Sequence, residues 1–353
     1  MDTSSRNAAN GNSSGDTCNT WVLILAAGEG TRLHSLTTDS SGLTIPKQFC
    51  SLREESTLLE DALLRGAMVA PASRQCVVVA QQHRRWWETS LRAMPRENII
   101  VQPENRGTAH GLLLPLLHIA QRDPDAKLLV LPADHHVRDE LTLAKAMQQA
   151  LDSLQSCDRR VILLGLQPEQ CDPDLGYILP GRTDANSIAG IVRFVEKPTA
   201  IYARQLINCG GLWNAFIMAS TVSTLLELFE RRMGSTVEAM KQALQRDLPT
   251  PGSTSLLAEV YRHLQTVDLS RDILQGEESL LGVLRVGQCG WSDLGTPERV
   301  ARVLGRSSIR NGNEVLRAVS GRLNLASQHA RIYGERLETA PAANGGASRA
   351  RAG

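Results

Sequence analysis

The sequence predicts a doubly wound α/β domain built on a mostly parallel sheet, and three observations carry that prediction. Short apolar runs of strand length recur along the first half at 22–26, 76–80, 98–102, 128–131 and 161–166. Segments with helical apolar spacing separate them, and strand alternating with helix in this rhythm favours a parallel sheet with helices on both faces. A glycine-bearing turn follows the first run directly, where such a sheet places its ligand sites, beyond the carboxyl ends of the strands.

Each element has a local reason. Thr57-Leu-Leu-Glu60 has the form of a capping box, and Leu58, Leu59, Ala62, Leu63 and Val69 continue it at helical spacing. Residues 108–121 read as a helix in which Pro115 should cause a kink or displace the start. Further strands are expected at 191–195, 211–218 and 281–286, with helices near 221–232 and 237–245. No linker or repeat interrupts 21–304, so that span reads as one main domain. The Ser/Asn/Gly/Thr-rich residues 1–20 and the Pro/Gly/Ala-rich residues 341–353 read as disordered tails. Residues 305–340 carry a partial helical pattern, suited to packing on the domain or on a second copy in a homodimer.

Composition narrows the class. A formal charge of +1 over 353 residues argues against a nucleic-acid partner, which normally leaves a basic excess or patch. No apolar run reaches transmembrane length and no secretory leader is visible, so the expectation is a cytoplasmic protein without a membrane partner. The seven cysteines, Cys18, Cys50, Cys76, Cys157, Cys171, Cys209 and Cys289, form no Cys-x-x-Cys pair, which points to reduced packing thiols and not to zinc. His135 and His136 beside Asp134 suggest a metal triad, but neighbouring residues at a strand end point apart.

The chemistry concentrates in a few segments. Ala27-Gly28-Glu29-Gly30-Thr31-Arg32 and Pro46-Lys47-Gln48-Phe49 read as a phosphate cradle: glycines let backbone N–H groups approach an anion, and Arg32 and Lys47 add charge. A P-loop is excluded because no Gly-Lys-Ser/Thr triplet follows Gly30, and a dinucleotide fingerprint because Leu33 stands where its third glycine belongs. Gln102 and Asn105, with the backbone of Gly107 and Thr108, can read a base or ribose; a helix N-cap loop is the plain alternative. Asp134 at the end of an apolar strand is suited to Mg²⁺, or to capping a helix. Lys197 can pair with a phosphate and Glu196 with sugar hydroxyls, or the two can form a solvated ion pair. Asp293, in Trp291-Ser-Asp-Leu-Gly295, offers a second carboxylate to the same metal.

Together these motifs resemble the sugar-nucleotide pyrophosphorylases, in the branch of bacterial mannose-1-phosphate guanylyltransferases. The resemblance covers Trp21 to about Leu304 and rests on Gly28 to Arg32, Pro46 to Phe49, Gln102-Pro103 with Asn105 to Ala109, Pro132 to His135, Gly176-Tyr177, Phe194 to Pro198, Trp213-Asn214 and Trp291 to Gly295. It implies a Rossmann-like nucleotidyltransferase fold of the GT-A-like type. It also implies GTP and a sugar 1-phosphate as substrates, Mg²⁺ as cofactor, and GDP-mannose and pyrophosphate as products. By the same resemblance, Arg32, Lys47, Asp134, Lys197 and Asp293 would be catalytic, with Asp134 and Asp293 holding the metal. Ala27, Gly28, Gly30, Thr31, Gln102, Asn105, Gly107 and Thr108 would bind the nucleotide, and Gly176, Glu196 and Asn214 the sugar.

Several positions depart from that pattern. Ala27 replaces a glycine, His34-Ser35 stands where Trp-Pro is common, Leu175-Gly176-Tyr177 lacks a doubled Gly-Tyr, and Ala215-Phe216 follows Trp213-Asn214. They cluster around base and sugar recognition and leave the phosphate and metal positions intact. Another base or sugar specificity is therefore the first alternative, and a non-catalytic sugar-nucleotide sensor the second. The chain also leaves no room for the fused isomerase barrel of longer relatives, so isomerase activity is not expected.

Overall fold

The computed structural model describes residues 19–38, 41–52, 56–154, 159–246 and 255–305. The expectations for residues 1–18 and 306–353 fall outside the described residues. Nine strands among the described residues form one sheet: β1 (Thr20–Ala26), β2 (Gln75–Ala80), β3 (Ile99–Gln102), β4 (Lys127–Pro132), β5 (Val161–Leu166), β6 (Tyr177–Thr183), β7 (Ile188–Val195), β8 (Leu212–Thr221) and β9 (Leu281–Val286). Their spatial order is β3-β2-β1-β4-β8-β5-β9-β7-β6. The helices are α1 (His34–Thr37), α2 (Leu58–Ala67), α3 (Arg84–Ser90), α4 (Thr108–Arg122), α5 (Glu140–Asp152), α6 (Ala200–Asn208), α7 (Val222–Arg246), α8 (Leu256–His263) and α9 (Pro297–Val303).

The expected parallel sheet is present as β3-β2-β1-β4, and β5 also runs parallel to β9. The rest corrects the expectation: β8 enters antiparallel between β4 and β5, and β6 and β7 pair antiparallel with each other and with β8 and β9 respectively. The sheet is mixed. A strand covered on both faces reads as an unbroken apolar run whichever way it points, so direction was not written in the residues.

Both faces are covered. Val22 and Ile24 of β1 pack on one side with Leu59 and Leu63 of α2, Leu143 of α5 and Leu206 of α6. Trp21 and Leu23 face the other side, with Leu112, Leu113 and Leu116 of α4 and Leu225 and Phe229 of α7. That alternation along one strand is the period-two geometry of an extended chain.

Local rules account for most boundaries. Thr57 and Glu60 form the expected reciprocal capping box, with the Thr57 hydroxyl accepting from Glu60 N at 3.2 Å and Glu60 Oε2 from Thr57 N at 2.7 Å. The two helices expected in the 221–245 region are the two arms of α7, which bends at Met233 (φ −151°, ψ 45°). Pro115, in contrast, neither shifts the start of α4 nor breaks it. Almost every residue from Ala109 to Leu117 is fully buried, and that packing outweighs one missing backbone bond. β6 went unforeseen because Pro180-Gly181 reads as a turn; only its first residues pair with β8, and Pro180 lies at an irregularity beyond them, where a missing N–H is tolerated.

Buried histidines make the fold acid-sensitive. Burial pushes His110, the half-buried His118 and His135 below the ordinary imidazole range, His135 to about 4. The unfolded chain takes up these protons near pH ~6.5 while the native state does not, so stability is greatest above that pH and falls as it drops towards the native values. The thermal midpoint is expected to fall by several degrees between about pH 7.5 and about pH 5, followed by circular dichroism. An unchanged midpoint would contradict the burial of these rings.

Candidate active site

β1 ends at Ala26, and the chain turns through residues 27–30 into a short helical turn at Thr31–Leu33. Gly30 has φ +63°, and a Cβ there would meet the Lys47 Cβ at 3.0 Å, so the loop lies directly on the Pro46-Lys47-Gln48 turn. Gln48 pins it, its Nε2 donating to the Ala26 carbonyl at 2.9 Å and the Gly28 carbonyl at 3.0 Å. A Cβ on Gly28 would enter open space. Thr31 and Arg32 are exposed, and the Arg32 guanidinium makes a loose ion pair with Asp174, Nη1 lying 3.8 Å from Oδ2 and so beyond hydrogen-bond distance.

β1 and β4 are parallel neighbours, so Asp134, two residues past β4, stands beside the cradle. An antiparallel bridge between His136 and Ser292, with both N–H···O distances 2.9 Å, ties the loop after β4 to the loop after β9 and brings Asp293 alongside. The nearly buried Lys47 joins them: its Nζ donates to Asp134 Oδ2 at 3.0 Å and to the Asp293 backbone carbonyl. Burial alone would push the Asp134 carboxyl up, but the Lys47 ammonium, with His135, brings it below the usual carboxylate range. His135 turns into the protein, where its Nδ1 accepts from Trp291 Nε1 at 3.2 Å; Nε2 lies 3.8 Å from Asp134 Oδ1. Among the described residues no three His, Cys, Asp or Glu converge as a metal cluster.

Asp293 is held more tightly than its sequence suggests. Its Oδ1 accepts from Gly295 N at 3.2 Å and Arg299 Nη1 at 2.8 Å, and its Oδ2 from the same Nη1 at 2.7 Å. Arg299 is itself buried and grips Asp172 with Nε at 3.0 Å and Nη2 at 2.5 Å. Neither Arg299 nor Asp172 was singled out from sequence, because an Arg in the first turn of a helix reads as solvent-facing and Asp172 lies 127 positions away.

The expected sugar residues meet in one row. Asn214 N donates to the Gly176 carbonyl at 2.8 Å, and a Cβ on Gly176 would lie 2.7 Å from Glu196 Oε2 and 3.3 Å from the Asn214 Cβ. Lys197, at φ +48°, pairs with Glu196 Oε1 at 2.9 Å. Trp213, the neighbour of Asn214 on β8, points to the opposite face, where it lines a cavity of about 370 Å³ with Trp291, Arg138, Arg299 and Leu304.

The expected base residues lie two strands from the cradle, after β3. At ~4.8 Å per strand that is about 10 Å, roughly the length of a nucleoside. Gln102 is buried with its Nε2 unpartnered, beneath Gly111. The Asn105 side-chain oxygen, Oδ1, closes a local turn by accepting from Gly107 N at 3.1 Å. Gly107 (φ +88°) and Thr108 are zipped to residues 267–269: Val267 N bonds the Arg106 carbonyl at 3.1 Å, Ala109 N the Val267 carbonyl at 3.1 Å, and Leu269 N the Thr108 hydroxyl at 2.8 Å. Nothing in the sequence around Val267 signalled this partnership.

Residues 21–304 match the nucleotidyl transferase family. The xanthan biosynthesis protein XanB of Xanthomonas campestris is 27% identical over 277 residues, covering 78% of this chain and 57% of that protein. The mannose-1-phosphate guanylyltransferase ManC of Salmonella typhimurium is 28% identical over 286 residues, 78% and 58% of the two chains. The chain thus spans less than two thirds of these curated relatives. A crystal structure from Thermus thermophilus, described as a mannose-1-phosphate geranyltransferase, superposes with a TM-score of 0.70 at 29% identity, covering 82% of this chain and 80% of that one. The family match runs through the span that holds the cradle, both aspartates and the Gly176 row, and the chain belongs to the nucleotidyl transferase family.

Proposed function

We propose that the protein transfers a guanylyl group from GTP to mannose 1-phosphate, giving GDP-mannose and pyrophosphate in the cytoplasm. The Lys47 ammonium, lodged between Asp134 and the Asp293 carbonyl at the foot of the glycine loop, carries this reading. It supports a centre where cations and carboxylates of two loops converge beside an anion cradle. The names of the relatives, among them a mannose-1-phosphate guanylyltransferase, support the sugar and the base.

The donor set suits Mg²⁺. Asp134 is partly open, and Asp293 Oδ2 receives one hydrogen bond where Oδ1 receives two, leaving hard carboxylate oxygen for a cation that prefers oxygen ligands. Asp134 and Asp293 would hold the ion, which when bound supplies charge neutralisation to the phosphates.

The remaining work falls to the chain itself. A sugar phosphate oxygen is already anionic near neutral pH, so it can attack the α-phosphorus without a general base. The new O–Pα bond forms as the bond from Pα to the β-phosphate oxygen breaks and pyrophosphate leaves in line. Arg32 and Lys47 screen the triphosphate, Lys197 orients the sugar phosphate, and Glu196 and Asn214 bind the sugar hydroxyls. Catalysis then consists of aligning two anions that repel each other. His135, neutral and hydrogen-bonded to Trp291, is not needed as a base.

Pyrophosphate release from a matrix of GTP, ATP, UTP and dTTP against mannose and glucose 1-phosphates tests the proposal. Turnover is expected to peak with GTP and mannose 1-phosphate. Preference for another pair would keep the reaction and change the substrates, and the engaged Asn105 oxygen favours that second reading. Binding without turnover of any pair would refute the enzyme.

A further inference from the structure

Arg299 occupies a position that the proposed reaction does not use directly. It lies in the first turn of α9 and is buried, yet the described bonds of its guanidinium all go to carboxylates. One edge of the guanidinium, Nε and Nη2, holds both oxygens of Asp172, and Nη1 holds both oxygens of Asp293. Asp172 is fixed in turn, since the Tyr177 hydroxyl accepts from Asp172 N at 3.0 Å and donates to its carbonyl at 3.1 Å, while Trp213 Nε1 donates to the same hydroxyl at 3.1 Å. A rigid core strand therefore sets Asp172, Asp172 sets the planar fork of Arg299, and the fork sets the rotamer of Asp293. Gly295 makes room for this arrangement, because a Cβ there would lie 2.5 Å from Asp293 Oδ2 and 2.6 Å from Arg299 Nη1.

The bonds on Asp293 are unequal. Oδ1 receives two donors and Oδ2 one, so the remaining acceptor capacity of the carboxylate is concentrated on Oδ2. We propose that Arg299 is a positioning residue for cation binding, held by Asp172, which locks Asp293 so that Oδ2 is the oxygen presented to the divalent ion. This rests on the two-aspartate cation site proposed above. Partners of metal-binding carboxylates act in this way by fixing orientation, and their loss commonly weakens metal affinity about 10–100-fold. Lysine cannot substitute, since a single ammonium cannot span two carboxylates in a planar fork.

The test is Mn²⁺ binding to the full chain, read from the free-ion EPR signal, together with the Mg²⁺ concentration giving half-maximal turnover and the KM for mannose 1-phosphate. Asp172→Asn and Arg299→Lys are expected to weaken Mn²⁺ binding by about tenfold or more and to raise the Mg²⁺ requirement equally, with little change in that KM. Arg299→Ala is expected to recover part of its Mn²⁺ affinity when guanidinium is added at millimolar concentration, because the cavity of about 370 Å³ beside Arg299 admits it. A folded Asp172→Asn or Arg299→Lys variant with wild-type Mn²⁺ affinity overturns the positioning role. If Asp134→Asn also binds Mn²⁺ like the wild type, the two-aspartate site itself falls; if Asp134→Asn loses the ion and Asp172→Asn keeps it, only the role of Arg299 falls.

Discussion

Asp134→Asn is expected to lower kcat/KM for GTP and mannose 1-phosphate by about 10³-fold while the protein stays folded. Asparagine keeps the size of the side chain and one acceptor oxygen, so Lys47 retains a partner, and only the negative charge is lost. The Asp134 side chain is 38% exposed, but Lys47 is only 8% exposed; because Lys47 keeps the amide oxygen and the Asp293 carbonyl as acceptors, loss of the charge is expected to cost about 1–3 kcal/mol, lowering the thermal midpoint by several degrees without unfolding the protein. Asp134 is the cleaner of the two aspartates to change. At Asp293 the same substitution would also strip a buried arginine of a charge partner, and loss of half a buried pair costs about 3–5 kcal/mol, confusing activity with folding. Steady-state kinetics beside a thermal melt separates these effects. A variant within threefold of wild-type kcat/KM would remove Asp134 from the centre of the proposal.

The parts of this site that were legible in the sequence are those whose signal is local. Val22 to Ala26 announces a buried strand by its own composition, and Gly28, Gly30 and Lys47, singled out by residue type, lie on two loops that pack together. Gly176, Glu196 and Asn214, each singled out from its own short motif, come to lie side by side because β8, β6 and β7 sit in register there. What stayed hidden depends on pairing across long separations. The antiparallel entry of β8 between β4 and β5 has no signature in its residues, since both directions bury the same side chains. The Asp172–Arg299–Asp293 clamp and the grip of Val267 on the Gly107 loop join segments that only the finished sheet brings together. Asp293 looked like a free carboxylate for the same reason.

Two glycines that look alike in the sequence should differ sharply in what alanine does to stability. Gly107 has φ +88° and ψ 172°, a region reserved for glycine, and a Cβ there would lie 2.3 Å from the Val267 carbonyl oxygen and 2.9 Å from its carbon and nitrogen. Backbone, unlike a flexible side chain, cannot step aside without losing the bonds of Val267 to Arg106 and Ala109. Strain of this kind costs about 1–3 kcal/mol before the displaced hydrogen bonds are counted, so Gly107→Ala should lower the thermal midpoint by about 5–10 °C. It should also raise the KM for the nucleotide, because the same loop carries the expected base contacts. Gly28→Ala meets nothing within 4 Å and has no positive φ, so its midpoint should stay near that of wild type. Its methyl group would instead enter the open space where the cradle receives phosphate, raising the nucleotide KM on the order of tenfold. Melting curves and GTP titrations of the two variants check the pair. Equal stability of Gly107→Ala and wild type would refute the clasp on Val267, and an unchanged nucleotide KM in Gly28→Ala would mean that the anion lies elsewhere than the glycine loop.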